Sequence, residues 1–231
     1  MSRSYGCQSM VARLRSVVVR PPDEALAVAD PHRWGYARPP DLDAARREHA
    51  VLVDHLRQAD VEVLVHDASL AGLADAVFVH DPVLVTDSGV VVLRMGKALR
   101  RGEEEALAGF LADHDVPILG ALDNDARAEG GDLVWLDRRT LAAGQGFRTN
   151  AAGRHQLQRL LTPLGVQVLP VPLPWHTGPT ACLHLMSLLS LVDRDLAVVH
   201  RPLLPVAFGL VMEPAAAAGE RGALGQGIGF G

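Results

Sequence analysis

Apolar positions along the chain fall into short runs separated by turn residues. Val17-Val18-Val19, inside Leu14 to Arg20, is a compact apolar run of the kind that forms a buried strand, and Pro21-Pro22 stops it. Pro21 to Pro40 carries prolines, Trp34, Gly35 and Tyr36 without a sustained period, which predicts a long loop. Asp41 to Ala59 alternates at helical spacing. Asp41 or Asp43 can cap this helix, and Ala44, Val51, Leu52 and Leu56 make its apolar stripe. Val61 to Val65 follows as a strand.

From there one pattern recurs. Asp81 to Val85, the turn Asp87-Ser88-Gly89 and Val90 to Leu93 form a strand, an Asp-containing turn and a second strand. Asp132 to Leu136, Asp137-Arg138-Arg139 and Thr140 to Ala143 repeat it, as do Leu183 to Val192, Asp193-Arg194-Asp195 and Leu196 to Val199. The first two hairpins lead into helical stretches, Gly102 to His114 and Asn150 to Leu164, and then into strands, Pro117 to Leu119 and Val166 to Val171. The unit is hairpin, helix, strand, recurring at roughly 50 residues, a period that suggests an array or propeller. Leu14 to Val65 reads as an abbreviated copy. After the third hairpin, Val206 to Met212 starts a helix. The Ala- and Gly-rich stretch Pro214 to Gly231 cannot pack as a helix without a large entropic cost, so it is expected to be poorly ordered. The expected organisation is one domain over residues 1–213 and a tail over 214–231.

Composition narrows the classes. A chain of 231 residues that is 48% hydrophobic can build a substantial core. A net charge of −5 with no basic run argues against a nucleic-acid partner. Two cysteines, Cys7 and Cys182, make no disulfide framework. No run approaches the about 18 apolar residues of a membrane span, and the first residues lack an apolar signal core. A cytoplasmic protein without membrane contact is the expectation.

Polar clusters sit at the same place in successive repeats: Asp75 to Asp81, Arg100-Arg101-Gly102-Glu103, Glu129-Gly130-Gly131-Asp132, Gly146 to Asn150, and His184 to Ser187. In a propeller-like array such edges line one central channel. Each also has a plainer reading. Arg100 can be a solvated helix start, Asp75 and Asp81 can cap turns, and His184 can be a hydrogen-bonded core residue. Glu129 to Asp132 can be a turn before a hairpin, or an acid held in place by a tight turn. His80 with Asp81 and His176 near His184 lack the spacing of metal ligands.

The ordered set D-x-x-F-x-x-D (Asp75 to Asp81), R-R-G-E, E-G-G-D, R-T-N (Arg148 to Asn150) and H-L-x-S (His184 to Ser187) resembles the dimethylarginine dimethylaminohydrolase and amidinotransferase family over about Tyr5 to Pro205. That resemblance implies a five-bladed α/β propeller (pentein) of repeated ββαβ modules, here incomplete at its C-terminal end. It implies a small guanidino amino acid as partner, methylarginine or arginine-like, and no cofactor or metal. Carried over, His184 would be the general acid/base that protonates the departing amine and then activates water. Glu129 would bind a guanidinium nitrogen and orient His184. Asp75 and Asp81 would bracket the guanidinium, or Asp81 would stand one layer behind it, Phe78 would wall the pocket, and Arg100 and Arg148 would hold the substrate carboxylate, with Arg101 as an alternative to Arg100. The residue types suit these roles, since carboxylates recognise a planar guanidinium through charge-assisted bonds, and an Arg fork does the converse for a carboxylate.

Two departures from the family pattern matter. The family's nucleophile is a cysteine close to the C-terminus, and this chain has none after Cys182. His80 stands where many members carry an acid. Two expectations follow: a guanidine-modifying hydrolase by descent, or a relative that binds guanidino compounds without catalysis. Unpaired strand edges at an open propeller would make the chain prone to self-association.

Overall fold

The computed structural model describes residues 6–179 and 183–212. β1 (Ser16–Val19) pairs in parallel with β2 (Glu62–Val65), from Ser16 opposite Glu62 to Val19 opposite Val65. The proline-rich stretch between them is not an unbroken loop. It holds two single-turn helices, α1 (Glu24–Ala27) and α2 (Pro31–Trp34). The Asp23 side chain accepts from the Ala25 amide, and the Asp30 side chain accepts from the His32 and Arg33 amides. Elements of four residues are too short to show a helical period, so only their capping acids announced them.

α3 (Leu42–Gln58) is capped by Asp41, whose side chain accepts from the Ala44 amide. Its buried side differs from the expected stripe. Val53 is buried, with Leu42, Ala45, His49 and, of the expected stripe, Ala44 and Leu56 half-buried, whereas Val51 and Leu52 are 55% and 51% exposed. At about 100° per residue, Leu42, Ala45, His49, Val53 and Leu56 fall on one side and Val51 on the opposite one.

Two complete ββαβ modules follow. In the first, β3 (Val83–Thr86) and β4 (Gly89–Val92) are antiparallel. α4 (Glu103–Asp113) then crosses over to β5 (Ile118–Ala121), which lies parallel to β4. In the second, β6 (Leu133–Asp137) and β7 (Thr140–Gln145) are followed by α5 (Ala151–Leu161) and β8 (Gln167–Pro172), with the same pairing. Gly89 opens β4 at φ 139°, and a Cβ there would lie 2.3 Å from the Pro117 carbonyl oxygen, so a side chain would push β4 off the crossover strand.

β9 (Leu189–Asp193) and β10 (Leu196–Val199) form the third hairpin, followed by α6 (Val206–Met212). Its first strand starts at Leu189 rather than Leu183, because Leu185–Ser187 tighten into a 3₁₀ turn. The described residues thus form four sheets of two or three strands, matching the expected α/β repeat of hairpin, helix and strand. No helix among them is long and apolar enough to cross a membrane. The tail expected from Pro214 lies outside the described residues.

The main core lies between the two complete modules. Val91 and Leu93 meet Leu133, Trp135, Leu141, Ala143, Leu157 and Leu161, and Leu141, Leu157 and Leu161 are fully buried. Truncating Leu157 to Ala would cost about 2–5 kcal/mol. On the other face of the first module, Val83 and Val90 pack on Leu107 and Leu111 of α4. At the outer rim, Gln8 ties the modules together. Its Nε2 donates to the Arg138 carbonyl at 2.6 Å and its Oε1 accepts from the Asp87 amide at 2.9 Å, while Arg138 and Asp87 form an ion pair beside it.

Candidate functional site

Glu129 lies at the seam of the two modules. Ala128 bridges to Arg94 just beyond β4, and the Gly130 amide donates to the Asp81 carbonyl at 3.0 Å. Gly130–Asp132 then turn through one 3₁₀ turn into β6. Neither glycine has a positive φ; each is needed for close approach. A Cβ on Gly130 would stand 2.1 Å from the His80 carbonyl oxygen, and one on Gly131 would stand 2.3 Å from His184 Nδ1. The stretch is therefore a tight turn and also the seat of a buried acid.

Glu129 is fully buried. Its Oε2 is 3.0 Å from His184 Nε2, its Oε1 accepts from the Lys97 amide at 2.8 Å, and Arg148 Nη1 lies 3.2 and 3.4 Å from its two oxygens. Burial works to raise its carboxyl, but the hydrogen bond with His184, the Arg148 charge and the Lys97 amide hold it down to about 2. An ionised Glu129 can only accept, so His184 Nε2 carries the shared proton and Nδ1 is the nitrogen left for a second one. Burial opposes the His184 charge, yet the bond to Glu129 and the charges of Asp132, Asp81 and Glu129 raise its pKa above the ordinary value.

Asp132 is a second buried acid beside this imidazole. Its Oδ1 accepts from the Leu185 amide at 3.0 Å, fixing the turn that follows His184, and its Oδ2 has no hydrogen-bond partner. Burial pushes this carboxyl up from 3.8 to about 6, against the pull of His184 and Thr149. Thr149 also accepts from the Glu129 amide through Oγ1 at 3.2 Å.

The remaining residues singled out in the sequence form a network joined to this one through Lys97 and Asp81. Asp75 Oδ1 accepts from the Tyr36 hydroxyl and Oδ2 from Lys97 Nζ, both at 2.6 Å. Lys97 Nζ also donates to the Trp34 carbonyl at 2.8 Å and sits over the Trp34 ring. Asp81 Oδ2 accepts from Arg100 Nη1 at 2.6 Å, and Oδ1 from the Gly131 amide at 2.9 Å. Arg100 is 3% exposed; Nε and Nη2 bond Glu103, and Nη2 also reaches the carbonyls of Asp75 and Phe78.

In the described residues the side chains expected at the site are engaged as follows. Arg100, expected to hold a substrate carboxylate, has its guanidinium buried and bonded to Glu103, Asp81 and the carbonyls of Asp75 and Phe78. Asp75 and Asp81, expected to bracket a guanidinium, each accept from a donor of the chain through both oxygens. Arg148 stands on Glu129 rather than free. Phe78 is 54% exposed, its ring 5.9 Å from the Arg100 guanidinium carbon. Arg101 is exposed and lines a different cavity. Cys182 lies outside the described residues; Cys7 is exposed and bonded to the Ser9 carbonyl.

Sequence reasoning missed Lys97, Tyr36 and the part played by Asp132. Lys97 is the only lysine in the chain. In a sequence that otherwise uses arginine, that choice was the available signal: a compact ammonium fits between Asp75, the Trp34 carbonyl and the indole, where a fork would not.

Known proteins share this geometry's frame. The N(G),N(G)-dimethylarginine dimethylaminohydrolase of Streptomyces coelicolor is 35% identical over 137 residues, 57% of this chain and 48% of that protein. The chain spans about half the length of the curated relatives it matches. Among solved structures, the dimethylarginine dimethylaminohydrolase of Pseudomonas aeruginosa, as a Cys-to-Ser mutant complexed with citrulline, aligns with TM-score 0.66 and 24% identity over 80% of this chain and 69% of that one. SxtG, an amidinotransferase from Microseira wollei, aligns with TM-score 0.70 and 17% identity over 88% and 71%. At these identities the structural matches establish the shared fold, the α/β propeller of ββαβ modules. A family model described as N,N dimethylarginine dimethylhydrolase, eukaryotic, matches residues 38–206, which takes in both complete modules, the buried Glu129 and His184, and on that match the chain belongs to the dimethylarginine dimethylaminohydrolase family.

Proposed function

We propose that this chain carries the recognition and proton-transfer groups of a guanidino-group hydrolase or amidinotransferase, and that its ligand is a methylated arginine or a related guanidino amino acid. The observation that carries this reading is the guanidinium of Arg148 on the fully buried Glu129, against the His184 imidazole. The protein's own side chain occupies Glu129 in the way a substrate guanidinium would. On binding, the substrate guanidinium takes that place, and Arg148 swings to the substrate carboxylate, the role its fork suits.

Chemistry at the guanidinium carbon needs a thiolate. Its attack forms a C–S bond and a tetrahedral centre. Cleavage of a C–N bond then releases the amine, which takes its proton from His184. In the hydrolase reading, the same imidazole removes a proton from water. That water attacks the carbon, the C–S bond breaks, and a citrulline-like ureido product and free thiolate remain. Glu129 stabilises the imidazolium during both transfers. Cys7 is exposed and bonded to the Ser9 carbonyl, so we propose that these residues bind the ligand and turn it over at near-background rates unless Cys182 supplies the thiolate.

Two measurements test this. A colorimetric citrulline assay with dimethylarginine should stay near background; clear turnover that disappears in Cys182→Ser would assign the nucleophile to Cys182 and overturn the inactivity. Calorimetry with arginine and agmatine tests Arg148. Arg148→Ala should weaken arginine by about 2–4 kcal/mol relative to agmatine, which has no carboxylate. Equal changes for both ligands would remove the carboxylate role.

A further inference from the structure

A second cluster of guanidiniums lies apart from Glu129 and His184. Arg94, Arg101 and Arg127, with Asn124, Asp125 and Asn150, line a cavity of about 310 Å³ that shares no lining residue with the Glu129 cluster. Among the described residues, none of these three arginines forms an ion pair. Arg94 Nε is buried without a hydrogen-bond partner.

The floor of the cavity is held firmly. Asn150 Oδ1 accepts from the Arg127 amide at 3.1 Å and the Gly153 amide at 2.8 Å, and its Nδ2 donates to the Asp125 carbonyl at 2.8 Å. Behind the cavity, Glu104 spends its two oxygens on the amides of Met95 and Gly102, the residues next to Arg94 and Arg101. That fixes the backbone carrying both side chains. With Asp125 as the one acid in the lining, positive charge is in excess.

From this arrangement we propose that the cavity is a binding site for a phosphoryl group of a small soluble molecule. Three arginines line the space from three separate stretches of chain: just beyond β4, the residues before α4, and the approach to Glu129. A phosphate presents oxygens in several directions and can bond all three, whereas a carboxylate offers two oxygens in one plane. The volume leaves room for an organic substituent beside the phosphate.

Calorimetry with the full chain at low ionic strength tests the site, using inorganic phosphate, phenyl phosphate and acetate. Phosphate should bind saturably, acetate at least about tenfold more weakly. Arg94→Gln and Arg127→Gln should each weaken phosphate by about tenfold or more, while Arg139→Gln, at an exposed arginine outside the cavity, should leave it unchanged. A phosphate titration of the unaltered protein by ¹H–¹⁵N NMR guards against variants that fail to fold. The Asn150 side-chain amide and the Arg127 and Gly153 amides should shift together. Acetate binding as tightly as phosphate, phosphate affinity unaffected by both variants, or shifts confined to residues around Glu129 would each overturn the proposal.

Discussion

Replacing Asp132 by Asn should stabilise the protein at neutral pH, although it removes an acid from the centre of the molecule. Asp132 is fully buried, with one oxygen on the Leu185 amide and the other unpartnered. Burial raises its carboxyl from 3.8 to about 6, so the folded protein holds this proton more tightly than the unfolded chain does. For a raised acid, stability falls as pH climbs from the unfolded value through the folded one, and the deficit persists above it. Two pH units correspond to about 3 kcal/mol. An Asn keeps the oxygen that accepts from Leu185 and carries no charge. Part of the gain is returned, because the Asp132 charge supports the His184 imidazolium. A net gain of about 1–3 kcal/mol at pH 8, shrinking towards zero near pH 4, is the expected result. Urea unfolding of both proteins at pH 4, 6 and 8 measures it. Destabilisation by more than about 1 kcal/mol at pH 8 would refute the reasoning, since it would mean that the attraction to His184 outweighs the desolvation of the carboxylate.

Other consequences follow from the same seam. Gly131→Ala should push the imidazole off Glu129, because the new methyl would meet Nδ1 at 2.3 Å, and NMR titration should then find the His184 pKa lowered. Lys97→Met should destabilise by about 2–4 kcal/mol in denaturant unfolding, since it leaves Asp75 buried with only the Tyr36 hydroxyl. Glu129→Gln should cost most in a bounded pH window. The depressed Glu129 contributes stability above its unfolded value of 4.5 and loses it as pH falls towards 2, while the raised His184 contributes below its unfolded value and loses it as pH rises through the folded one. The penalty should therefore peak between those limits in a pH series of unfolding midpoints, and a penalty independent of pH would contradict the ionised pair.

The repeat was legible because hairpins and crossover helices leave strong local marks. The Asp-containing turns at Asp87 and Asp137, and the cap at Asn150, fix elements within a residue or two. α1 and α2 were not legible, being one turn each. The face of α3 was misread because Val51 and Leu52 are apolar yet point outward. At the site, the motif order located Glu129, Arg148 and His184 at one place in space. It could not tell that Lys97 pairs with Asp75 and that Arg100 pairs with Asp81 and Glu103, because the same charged residues recognise a ligand or a neighbour equally well. What decides is the partner, and here Lys97 and Glu103 were the partners.

Gln8 belongs to a segment about 120 residues upstream of Glu129, yet its amide acts as a crossbrace on the hairpin tips at Asp87 and Arg138. The two modules are rigid sheets that meet along one line, so the angle between them is the coordinate on which the site depends. Asp81 comes from one module and Gly131 and Glu129 from the other, while Lys97 reaches Glu129 across the same line. A few degrees of opening at the rim would lengthen those bonds before it separated the apolar side chains packed between the modules. Fusion partners or proteolytic trimming at the N-terminal end would thus be felt as a change in the proton affinity of His184, well before any loss of secondary structure.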